Sequence, residues 1–199
     1  NKVKKLLKHS KINSVDDVEY LLRIPELKRK KELIKLLKHP KIKNVESLKQ
    51  IDLKNCWEVE LLFELLDDDK IKDVRDLKDI SLNILYNKTL KNKLLDSVDN
   101  IQELRGLPLD VYYFDEATLV LLDHPKVQSV QSLRDLGRGV FECLDVTLKL
   151  LDHPKVKSIE SLRNIADTAF YYPEILFGLL NDSKIDCIER FNGLPGEFF

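Results

Sequence analysis

The residues of this 199-residue chain whose types could bind a metal or carry catalysis are four histidines, three cysteines and a run of three aspartates. Their spacing argues against both uses. His9, His39, His124 and His153 all fall at one place in a recurring phrase, and Asp68 and Asp182 fill that place in other copies. Neighbouring copies stand one helix-packing distance apart, about 8–10 Å, whereas the ligands of one zinc ion each lie about 2 Å from it. A histidine there suits the end of a helix, where carbonyls are exposed and the dipole is negative. Asp67-Asp68-Asp69 lacks the ligand spacing of a calcium loop. Cys56, Cys143 and Cys187 are too few and too scattered for a zinc site or a disulfide framework. Gly137-Arg138-Gly139 lacks the remainder of a phosphate-binding loop, and neither a nucleophile elbow nor an HExxH motif occurs. The expectation is a protein without catalytic residues, cofactor or metal.

Cations and aromatics make a stronger pattern. Lys11, Lys41, Lys70, Lys126, Lys155 and Lys184 recur in one connector, and Lys49, Lys78, Arg105, Arg134 and Arg163 recur at a second place. One cation per copy makes a line of charge with a step of about 10 Å, which could follow a phosphate backbone or an acidic peptide. The competing reading is local pairing, as between Glu46 and Lys49 or Glu160 and Arg163, which stand at i and i+3 on a helix. Aromatics gather in the segments where copies differ most: Trp57, then Tyr112-Tyr113-Phe114, then Phe170-Tyr171-Tyr172. Such residues anchor protein interfaces; filling gaps between helices is the alternative.

The elements that position these residues come from a repeat. Leu-Leu pairs begin at 6, 36, 65, 94, 121, 150 and 179, at intervals of 30, 29, 29, 27, 29 and 29, and the one short interval reflects a deletion of two positions in the fourth connector. Eight positions after each first leucine (six in the shortened copy) stand Ser14, Asn44, Asp73, Asn100, Ser129, Ser158 and Cys187. Six of these seven are preferred helix N-caps. Apolar residues follow at steps of three, as in Val45-Leu48-Ile51, Val130-Leu133-Leu136 and Ile159-Leu162-Ile165, which predicts a short first helix. A linker leads to a second helix that ends on the leucine pair. Pro25 and Pro173 mark its start, and His-Pro at 39, 124 and 153 marks its end, because proline disfavours helical geometry in the residue before it. The spacing therefore predicts an all-α protein, an α-solenoid of about seven tandem helical hairpins winding as a right-handed superhelix and forming one array over 1–199.

Composition agrees with an ordered chain, 43% hydrophobic and 34% charged, and no run reaches the roughly 18 apolar residues of a membrane span. The net charge of −1 conceals a gradient: residues 1–60 carry +7, 61–120 carry −5 and 121–199 carry −3. Only the first third attracts polyanions. The chain starts inside a second helix and stops before another, without an initiator methionine, as expected of a fragment of a longer protein. The sparse cysteines suit an intracellular, cytoplasmic setting or delivery into a host cell as an effector.

The segment Val18-Glu-Tyr-Leu-Leu-Arg-Ile-Pro-Glu-Leu27 resembles the repeat of the mitochondrial transcription-termination factors, which implies a nucleic-acid-binding helical array. The likeness covers one copy. Pro25 and Pro173 lie at different offsets in their copies and the later copies are acidic, so the helical array is carried over and the activity is not. The first functional expectation is a scaffold binding a protein or peptide through Lys49, Lys78, Arg105, Arg134, Arg163, Trp57, Tyr112, Tyr113, Tyr171 and Tyr172. Nucleic-acid binding through the cation ladders is the second.

Overall fold

The computed structural model describes residues 7–24, 30–51, 53 and 59–199. Among these the chain is all-α, with eleven α-helices, a set of 3-10 turns and no strand. The helices are α1 (Val15–Arg23), α2 (Lys30–Lys38), α3 (Val45–Leu48), α4 (Val59–Asp67), α5 (Lys88–Asp96), α6 (Asp110–Tyr113), α7 (Asp115–Leu122), α8 (Arg138–Glu142), α9 (Leu144–Asp152), α10 (Asp167–Phe170) and α11 (Pro173–Asn181). None of the described helices is long and apolar enough to cross a membrane. At eight or nine residues, the longest fall below the roughly 12–15 needed for an isolated helix to persist in water. Burial of their apolar faces must hold them.

In copies two to seven the second helix forms where the leucine pair requires it. Leu36, Leu37, Leu65, Leu66, Leu150 and Leu151 are all fully buried. Pro173 occupies the first turn of α11, and His153, before Pro154, has the extended geometry that stops α9. Pro25 lies outside the described residues. The first helix is shorter than its pattern suggests. α1 runs nine residues, yet its later counterparts Val74–Leu77, Ile101–Leu104, Val130–Leu133, Ile159–Leu162 and Ile188–Phe191 are single 3-10 turns. A step of three is the period of the 3-10 helix, in which i and i+3 eclipse, so the apolar triplets are satisfied by one tight turn. Their members Val130, Leu133, Leu136, Ile159, Leu162 and Ile165 are buried accordingly.

The linkers also hold structure that the two-helix reading omits. They form the 3-10 turn Leu82–Leu85 and the short helices α6, α8 and α10, so a copy contains three helical pieces. Threonines tie two of these short helices to the long helix that follows. The buried hydroxyl of Thr118 donates to the Val111 carbonyl at 2.8 Å, and that of Thr147 donates to Val140 at 2.8 Å.

The chain divides into two compact bodies, one of residues up to Lys91 with Asp99–Arg105 and one of Asn92–Val98 with Gly106–Phe199. The division falls in α5 and the shortened connector. In each body like packs against like. In the first, α1 packs on α3, α3 on Val74–Leu77, and Val74–Leu77 on Ile101–Leu104. In the second, Val130–Leu133, Ile159–Leu162 and Ile188–Phe191 follow one another, and α6, α8, α10 and Gly196–Phe198 form a parallel series. A column of large side chains one repeat apart, Tyr112, Phe141, Phe170 and Phe199, is buried under the latter series.

Candidate functional site

The connector lysines occupy a structural position. The carbonyl of Lys11, Lys41, Lys126 or Lys155 accepts the N–H of Val45, Val74, Ile159 or Ile188 in the next copy, at 2.9–3.4 Å. The side chain reaches further, to the open carbonyl end of the next copy's long helix. Lys11 Nζ donates to the His39 carbonyl at 2.8 Å, Lys41 Nζ to Asp68 at 2.7 Å, and Lys155 Nζ to Leu180 at 2.6 Å and Asp182 at 2.9 Å. Lys126 Nζ donates to the carbonyls of Leu151, His153 and Val156. The last carbonyls of a helix have no partner within it and carry its negative dipole end, so an ammonium there meets both needs.

The histidines complete the same joint. The N–H of Lys41 donates to His39 Nδ1 at 3.3 Å, and Lys126 and Lys155 do the same to His124 and His153 at 3.2 Å. With Nδ1 accepting, the ring proton sits on Nε2, which faces Asp67 Oδ1 at 3.1 Å in His39 and Asn181 Oδ1 at 3.2 Å in His153. Where aspartate replaces histidine, its carboxylate takes the same N–H: Asp68 from Lys70 at 2.9 Å and Asp182 from Lys184 at 2.8 Å. The position needs an acceptor, which explains why imidazole and carboxylate alternate. Two members of the aspartate run, Asp67 and Asp68, are absorbed in the same joint, and the described residues contain no group of three ligating side chains suited to a metal.

The second ladder turns back on the preceding copy. Lys49 Nζ bridges Asp17 at 2.9 Å and Glu46 at 3.1 Å. Burial pushes the Asp17 carboxyl up, but the lysine bond and the amides of Asn13 and Ser14 outweigh it and hold the group below its ordinary value. Arg105 Nε donates to the Lys78 carbonyl at 2.9 Å, and Arg163 reaches the Gln131 carbonyl at 3.5 Å. Lys78 is exposed and Arg134 half-buried. A cleft of about 540 Å³ beside this ladder, lined by Tyr20, Arg23, Lys49 and apolar residues, has both of its cations paired, since Arg23 meets Glu19 at 3.5 Å.

The aromatics separate by register. Tyr112 is 4% exposed and belongs to the core; burial raises its phenol, and the hydroxyl finds no partner. Trp57 lies outside the described residues. Tyr113, Tyr171 and Tyr172 stand in solvent at 63%, 49% and 50% exposure. In the second body, Tyr113, Glu142 and Tyr171 are spaced by one repeat each and occupy one position near the C-terminal ends of α6, α8 and α10. Side chains link the three copies there. The Arg138 guanidinium lies 5.4 Å from the centre of the Phe114 ring and 2.8 Å from Glu142, and the Tyr171 hydroxyl donates to Glu142 at 2.6 Å. These two donors hold Glu142 below the usual carboxylate range, while the bond to Glu142 and partial burial push the Tyr171 phenol up to about 12.

Phe114, Arg138 and Glu142 are members of this stripe that the sequence reading did not select. The signal was present in the repeat register, which places Glu142 in line with Tyr113 and Tyr171, and Tyr86 in the corresponding position of the first body. Compared with protein-family models, curated proteins and solved structures, the chain finds no match.

Proposed function

We propose that the copies form an α-solenoid and that the protein serves as an interaction scaffold, binding a protein or peptide along the surface presented by its linker helices. The observation that carries this reading is the exposed stripe of Tyr113, Arg138, Glu142, Tyr171 and Tyr172, with the half-buried Phe114 beneath Arg138. Exposed tyrosines give large, stiff contact area at low entropy cost and dominate protein interfaces. Three side-chain contacts already hold Phe114, Arg138, Glu142 and Tyr171, which lowers the ordering cost of binding at these residues. The cations that could have followed a nucleic acid are engaged with helix ends and carboxylates in much of both ladders. That commitment favours protein over nucleic acid.

The test is a selection from a displayed peptide library against the wild-type chain and against Tyr113→Ser/Tyr171→Ser/Tyr172→Ser, with oligonucleotide titrations alongside. The proposal expects enriched peptides that the triple variant no longer retains. Equal retention by both proteins overturns it. So does tight oligonucleotide binding with a steep salt dependence, which would restore the cation-ladder reading.

A further inference from the structure

The exposed aromatic stripe has a consistent electrostatic setting. Each long helix of the second body begins within a few residues of the stripe, and its first turn carries an acid: Glu116 in α7, Asp145 in α9 and Glu174 in α11. These three recur one repeat apart, each three positions after Tyr113, Glu142 or Tyr171. No ion pair takes up any of them among the described residues. The one base at the stripe, Arg138, is already neutralised by Glu142. Residues 106–199 as a whole carry nine basic against fifteen acidic side chains, a net charge of −6.

Resting on the scaffold reading, we propose that this surface binds an extended peptide segment bearing Lys or Arg at every third position. Helix dipoles account for one acid at each helix start; they do not account for the tyrosines left exposed beside these acids. A tyrosine face and a carboxylate together suit a cationic side chain, the ring through its quadrupole and the acid through its charge. The spacing follows from packing. Successive helices stand about 8–10 Å apart, and a chain in the polyproline II conformation advances about 3.1 Å per residue with three residues per turn, so every third side chain returns to one face in step with the three acids. Arginine suits the arrangement better than lysine, since its planar guanidinium stacks on a ring while bonding a carboxylate.

Fluorescence anisotropy with three labelled peptides tests the proposal: one with arginine at every third position, one of identical composition with its arginines contiguous, and one with glutamate in place of arginine. The expected result is binding of the first peptide, several-fold weaker binding of the second and none of the third. Glu116→Gln/Asp145→Asn/Glu174→Gln should weaken the first peptide at least tenfold while the circular dichroism spectrum is unchanged. Tyr113→Ser/Tyr171→Ser, which leaves the helix starts intact, should do the same and serves if the acid variant fails to fold. Unchanged affinity in the folded variants, or preference for the glutamate peptide, overturns the proposal. Sedimentation showing that the stripe pairs two copies of the chain, with loss of pairing in the tyrosine variant, overturns it in favour of self-association. If library peptides lose binding in the tyrosine variant but not in the acid variant, the charge inference fails and the scaffold reading stands.

Discussion

Replacing Lys155 by methionine separates a structural ladder from a recognition ladder. Its ammonium donates to the Leu180 carbonyl at 2.6 Å and the Asp182 carbonyl at 2.9 Å, at the end of α11. Methionine keeps most of the stem packing and removes the charge and both bonds. A hydrogen bond from a charged donor contributes about 1.5–3 kcal/mol. Lys155 is half-buried and one ammonium serves both carbonyls, so partial solvent screening brings the expected loss to about 2 kcal/mol in total. Lys157, two positions on and exposed, is the control, and Lys157→Met should stay within about 0.5 kcal/mol. Because the chain comprises two bodies, hydrogen exchange in Pro173–Asn181 is the sharper assay, with urea unfolding beside it. A loss of about 2 kcal/mol speeds exchange of α11 amides roughly thirtyfold. If Lys155→Met proves as mild as Lys157→Met, the ammonium is not clamping the helix and the reasoning that sets the connector lysines aside from ligand binding is refuted.

Other substitutions probe other joints. Tyr112→Phe removes a buried, unpartnered hydroxyl from a column whose other members are phenylalanines; stability should hold or rise by about 1 kcal/mol, measured by urea midpoint. Asp17→Asn should lower stability by about 2 kcal/mol at neutral pH by weakening the bond to Lys49. Because the folded-state pKa of Asp17 is depressed, its contribution is present above the ordinary carboxylate value near 4 and is lost as pH falls through the folded value, so wild type and variant should converge in acid. Gly139→Ala places a methyl group 2.8 Å from Phe170 and 2.9 Å from the Asp167 carbonyl; thermal melts should show a loss of about 1–3 kcal/mol. Lys91→Leu restores an apolar side chain to a buried repeat position that holds Leu62 and Leu176 in other copies. It should be neutral or stabilising by about 1 kcal/mol in urea unfolding, despite losing the 2.8 Å contact with Glu64.

The sequence revealed the elements whose causes are local. Ser14, Asn44, Asp73 and Asn100 accept amide bonds from their own first turns, as residues of these types at helix starts do. Ser129 and Ser158 stand at the same place with extended backbone but make no such bond; the Ser129 hydroxyl lies 3.5 Å from that of Ser132 instead. The linkers hid short helices because their apolar periods are a single turn long, too brief to distinguish from irregular chain. The site was legible in part. Tyr113, Tyr171 and Tyr172 were named with Tyr112, yet only the comparison of burial along the repeat register separates the last from the others. The connector lysines could not be interpreted from sequence at all. Their partners are carbonyls 25–30 residues away, and main-chain groups leave no trace in residue identity.

The lysine clamp also bears on how such a chain can change length. A lysine from one copy closes the helix of the following copy, so a block excised at a copy boundary is left with one bare helix end and one idle ammonium. A duplication of the whole block supplies both halves of the new joint at once, and growth or loss in complete blocks leaves the count of open carbonyls unchanged. The fourth connector, whose deletion removes its lysine, is the place where that parity is broken.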